Sequence, residues 1–119
     1  DTSFGAHGVM NTATTLGCEL PDNAIIVGGI VDVITGFASG GGDAATIAIH
    51  VDTAADIVAP VAISHSSNAW DGGLHPVVPS RTAPIKTTAA NRYITVTTGA
   101  SQDLSAGKMI IWLEYIVSD

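Results

Sequence analysis

The run "AIIVGGIVDVITGF" at residues 24–37 constrains this chain more than any other feature. β-Branched residues dominate it. Such side chains are stiff in a helix and pack well on a pleated surface. In its second half Val31, Val33, Thr35 and Phe37 share one side of a two-residue alternation. Ile30, Asp32 and Ile34 share the other, which is the signature of a strand. Gly28 and Gly29 in its middle predict a bulge, a bend or a close backbone approach.

The same alternation returns along the chain. In "ATIAIHV" (45–51), Ile47, Ile49 and Val51 point inward, and Thr46, Ala48 and His50 outward. "IVAPVAI" (57–63) reads as a strand interrupted by Pro60, hence an edge or a bulge. "RYITVTT" (92–98) is another strand, and "KMIIWLEYIV" (108–117) is the last. That last strand is apolar on both faces, with Met109, Ile111, Leu113 and Tyr115 on one and Ile110, Trp112, Glu114 and Ile116 on the other. Such a strand is expected to be central in its sheet or covered on its second face by a partner.

The connections carry turn chemistry. "LPDN" (20–23) is a turn, "SGGGD" (39–43) a flexible link, and "DTAAD" (52–56) a turn or one short helical turn. "PVVPSRTAPI" (76–85) is an extended surface segment, and "GASQDLSAG" (99–107) a connector with room for one helical turn. No segment sustains a 3.6-residue apolar period, and there is no internal repeat. The expected fold class is therefore all-β, a β-sandwich or jelly roll of six to eight strands with little helix. At 119 residues the chain suits one domain, expected over 14–119, preceded by an N-terminal arm over 1–13.

Charge narrows the function. The net charge is −7, with only Arg81, Arg92, Lys86 and Lys108 as cations. Phosphate contacts need several Lys or Arg side chains, so neither nucleic acid nor an anionic membrane is an expected partner. No apolar run is long enough for a transmembrane helix, and no basic-then-apolar leader pattern is visible. The lone Cys18 allows no intramolecular disulfide and no multi-thiolate metal site, and it reads as a small buried apolar residue. Charged residues are 13% of the chain, about half the usual ~25%. Either another protein covers much of the surface, or the outer strand faces are rich in Thr and Ser.

The one concentration of chemical groups is "HSSNAWDGGLH" (65–75). His65, Asp71 and His75 invite a catalytic or metal reading, with His50 on a nearby strand. Their spacing does not require convergence, and no HExxH-type pair is present. The G-x-S-x-G elbow of a serine hydrolase is absent, and "SGGGD" lacks the Lys and the helix of a phosphate loop. Glu114 reads as an exposed edge residue or a structural ion pair with Arg92 or Arg81. A sugar face built on Trp70 with Asn68 and Asp71 is a competitor, and a small β-sandwich hydrolase or metal enzyme is a third class. The reading preferred here is a loop in which Trp70 packs on the core. Asn68 and Asp71 would bond the loop's own backbone, and Gly72 and Gly73 would permit the turn. Trp70, Asp71 and Trp112 are the expected structural anchors. No enzymatic activity, cofactor or metal is expected.

Four segments in order, "TTLGCELPDNAIIVGGIVDVITGFAS", "DAATIAIHVDTAADIVAPVAIS", "NAWDGGLH" and "LSAGKMIIWLEYIVSD", resemble a family of small structural proteins of tailed bacteriophages. The resemblance covers roughly residues 14–119. It departs at "SGGGD", which is richer in glycine, and at "PVVPSRTAPI", which is individual to this chain. The resemblance implies a capsid decoration protein on the outer surface of the virion. Its partners would be the major capsid protein and further copies of itself, as a trimer or dimer. It implies no catalytic residues. The alternative is a head-fibre or tail-tip module for host glycans. Interface residues are expected in the arm, at Phe4, Val9 and Met10, and at the loop histidines His65 and His75.

Overall fold

A computed structural model describes residues 13–67, 69–99 and 104–118. The fold is a β-sandwich of two antiparallel sheets, as the alternation predicts. The first sheet has the order β1-β6-β3-β4, with β1 at Ala13–Leu20, β6 at Arg92–Gly99, β3 at Thr46–His50 and β4 at Val58–Ala62. The second has the order β5-β2-β7, with β5 at Gly73–Val77, β2 at Ala24–Ser39 and β7 at Leu104–Val117. Seven strands are present among the described residues, one fewer than the eight of a jelly roll.

β2 and β7 dominate the shape. Their pairing runs from Ala24 opposite Val117 to Ser39 opposite Leu104. A sixteen-residue strand at ~3.3 Å per residue reaches about 50 Å, which matches the 47 Å long axis of the molecule. The register shifts at Val27 and Ile34 lie in β2, where an extra residue is inserted, while the β7 residues opposite remain consecutive. Gly29 permits the close approach of the two strands. A Cβ there would stand 2.4 Å from the Trp112 carbonyl oxygen and 2.8 Å from Leu113 Cδ2. The Gly-Gly pair thus serves both a bulge and a tight contact.

The core forms where the inward faces meet. Ile47, Ile49, Ile94 and Val96 from the first sheet pack with Ile26, Val31, Val33 and Met109 from the second. Phe37, Trp70 and Leu20 close it. Pro60 lies on β4, an edge strand, at the register shift between Ile47 and Ile49. An edge bulge is where a residue without an N–H costs the ladder least.

Several expectations are corrected. β7 is not central: among the described residues it pairs only with β2 and forms the edge of its sheet. Residues 73–77, read as loop and surface segment, form β5 on the other side of β2, with His75 opposite Val31. Pro76 is tolerated because β5 is also an edge. β7 already starts at Leu104, inside the expected connector. The "SGGGD" link is an ordered turn, Gly40–Asp43, with positive φ at Gly41, Gly42 and Asp43. The Ser39 N–H donates to Asp43 Oδ1 at 2.7 Å and holds it.

Two carboxylates and one hydroxyl tie down the remaining loops. Asp56 accepts hydrogen bonds from the N–H groups of Val51, Asp52 and Thr53, each at 2.9 Å. Asp52 Oδ1 lies 2.9 Å from Arg92 Nε and also accepts from the Thr88 hydroxyl. Arg92 thus pairs with Asp52, and Glu114 is exposed rather than paired to it. Thr87 is fully buried. Its hydroxyl donates to the Pro21 carbonyl at 2.7 Å and accepts from the Ala24 N–H at 2.8 Å. Backbone bonds from Ile26 to Ile85 and from Thr87 to Ala24 carry the 85–87 segment along β2 beyond β5.

Candidate functional site

The "HSSNAWDGGLH" loop connects the two sheets. Trp70 is 1% exposed. Its Nε1 donates to the Val61 carbonyl on β4 at 2.9 Å, and its own carbonyl accepts from the Phe37 N–H on β2 at 3.1 Å. Its ring meets Phe37 edge to face, with centroids 6.1 Å apart. One residue therefore contacts both layers, and the loop takes the place of a strand beside Phe37. With ring and N–H both committed inside, Trp70 presents no platform to a sugar.

The polar neighbours of Trp70 serve the loop. Ser67 N–H donates to His65 Nδ1 at 3.1 Å, so that nitrogen is an acceptor. His75 Nε2 donates to the Asp71 carbonyl oxygen at 2.9 Å and closes the turn into β5. Asp71 is corrected in one respect: its carbonyl, not its carboxylate, makes the loop bond, and the side chain is exposed. Asn68 lies outside the described residues. Among the described residues no three His, Cys, Asp or Glu side chains gather in a metal-ligand arrangement. A cleft of about 120 Å³ is lined by Val31, Val58, Trp70, His75 and Val77 among others. Cofactor and substrate pockets usually occupy ~300–1,000 Å³, so it suits a few waters or one apolar side chain.

The feature with room to act is the outward face of the β5-β2-β7 sheet. Trp112 is corrected here: it is 50% exposed and anchors no core. It stands opposite Ile30, which in turn stands opposite Pro76. The next row is Ile110, Asp32 and Leu74. Register explains the face. Once Val31, Val33 and Met109 turn inward, the period of two sends Ile30, Ile110 and Trp112 outward. Ile30, Ile34, Leu74, Ile110, Trp112 and Ile116 are all exposed large apolar residues. At roughly half exposure each they present on the order of 600 Å² of apolar surface, the upper end for the largest patch on a monomer. Glu114 rises within the face between Trp112 and Ile116, its Oε2 3.4 Å from where a Cβ on Gly28 would be.

This face was legible as a pattern, because the outward partners Ile30 and Trp112 each belong to a strand apolar on both sides. Their adjacency was not, since it depends on β2 and β7 pairing across most of the sequence. The arm residues Phe4, Val9 and Met10 lie outside the described residues. His65 is exposed on the loop, and His75 is half-buried on β5, in the row of Val31 and Ile111 beside the Trp112 row but on the inward side of the sheet. No helix among the described residues is long and apolar enough to cross a membrane. No protein-family model, curated protein or solved structure matches the chain.

Proposed function

We propose that the chain is a virion structural protein of a tailed bacteriophage. It decorates the outer capsid, binds the major capsid protein lattice as a homo-oligomer and stabilises the head. The observation that carries this reading is the apolar outward face of the β5-β2-β7 sheet. A face built from Ile30, Leu74, Ile110 and Trp112 is unfavourable in water and favourable against another protein. Trp112 is the kind of side chain that dominates interface energetics, because it buries a large rigid area. The low charge of the chain fits a molecule whose surface is partly covered in its working state. The resemblance of residues 14–119 to phage structural proteins supplies the setting.

The role asks for no catalytic group. A cement protein acts by adding contacts across joints between capsid subunits, and anything that binds only the assembled lattice stabilises it by mass action. The test is heating of particles with and without the chain while a DNA-binding dye reports genome release. Release at a higher temperature with the chain is expected. Leu74→Asp, at a position 67% exposed, should leave the fold intact and abolish binding to undecorated particles. Equal release temperatures, or undiminished binding by the variant, would overturn the reading.

A further inference from the structure

We propose that the chain forms a two-fold dimer by antiparallel pairing of β7 with β7 of a second copy, centred on Ile111. The first observation is the free edge. Among the described residues β7 pairs only with β2, and its run from Lys108 to Val117 contains no proline and no inserted residue. Sheet edges are normally blunted by such devices, because a long regular edge is a template for another strand.

The second observation is that the sequence of this edge is self-complementary. A two-fold axis through Ile111 sets each residue opposite one equally far on the other side. Lys108 then faces Glu114 of the second copy, and Glu114 faces its Lys108. Ile110 faces Trp112 in the same way on the outward side, and Met109 faces Leu113 on the inward side. Opposite charges and aromatic–aliphatic partners are the cross-strand pairs that stabilise antiparallel sheets. Lys108 and Glu114 are both exposed, and neither has an ion-pair partner among the described residues.

A closed two-fold uses the same patch on both copies and ends there, so it yields a dimer rather than a trimer or a filament. The result is one six-stranded sheet, β5-β2-β7-β7-β2-β5, whose outward face joins the two Trp112 surfaces. The dimer goes beyond the capsid reading and stands without it, because a dimer in solution is compatible with failure to bind capsids, and capsid binding with a monomer.

The test is sedimentation equilibrium of the full chain and of three charge variants. The wild type is expected to associate to twice the 12.0 kDa chain mass. Lys108→Glu and Glu114→Lys each create two like-charge pairs per dimer and should weaken it roughly tenfold. The double variant, Lys108→Glu with Glu114→Lys, restores both pairs and should recover dimerisation to within about threefold of wild type. A wild type that stays monomeric at high concentration overturns the proposal. So does a dimer indifferent to the single variants, or a double variant weaker than either single one. Should a variant fail to fold, amide exchange in the wild type decides. Alternate β7 amides from Lys108 to Glu114 should lose protection on dilution, and unchanged protection overturns the pairing.

Discussion

Trp70 and Trp112 offer the sharpest check on the physical reading, because the chain has two tryptophans and the fold uses them oppositely. Trp70→Ala removes a fully buried indole, its edge-to-face contact with Phe37 and its hydrogen bond to the Val61 carbonyl. Large aromatic-to-Ala changes in a core cost ~3–5 kcal/mol, and the lost hydrogen bond adds to the cavity term. Against a total stability of ~5–15 kcal/mol for a domain, the variant sits near the edge of folding. The melting temperature should fall by roughly 10–20 °C. Trp112→Ala truncates a ring already half in water, and its cost should stay under about 1 kcal/mol. Urea unfolding followed by circular dichroism, at a concentration low enough to keep the chain monomeric, measures both. Equal costs for the two variants, or a Trp70→Ala cost below about 1 kcal/mol, would refute the assignment of Trp70 to the core and Trp112 to the outer face.

Two further substitutions probe single contacts. Thr87→Val keeps the shape but strips the hydroxyl shared by the Pro21 carbonyl and the Ala24 N–H. Urea unfolding should show a loss of about 2–4 kcal/mol, while Thr87→Ser should cost ~1 kcal/mol or less because the hydroxyl remains. Gly29→Ala places a methyl group inside contact distance of the Trp112 carbonyl and should cost at least about 2 kcal/mol, read by the same assay. Gly28→Ala, with only Glu114 Oε2 at 3.4 Å, should be milder than Gly29→Ala.

Much of the fold follows from local sequence. Alternation in residues 24–37, 45–51 and 92–98 marks strands because a period of two admits no other regular structure with one buried side. "LPDN" is a turn because Asn23 accepts positive φ, here +59°, and Asp22 caps the Asn23 N–H. β5 escaped a local reading because Pro76 and two glycines weaken its strand signal, and only the exposed side of β2 gives it a partner. The loop residues His65, Asp71 and His75 drew attention through their chemistry, yet their bonds are short-range and internal. The apolar face lies on strands whose outward residues look, in sequence, like the ordinary contents of a core.

Local residue order is enough to make the protein all-β, to alternate its elements between two faces, and to leave β7 with apolar residues to spare on its second face. These are properties of neighbouring residues, and the two-residue period expresses them wherever the strand is placed. The assembled sandwich makes β7 an edge, puts Trp70 inside and Trp112 outside, and joins Ile30, Leu74 and Trp112 in one surface. Those outcomes depend on which strands pair and in what register. Pairing is settled by total burial across the whole sandwich, and no short stretch of sequence contains that sum.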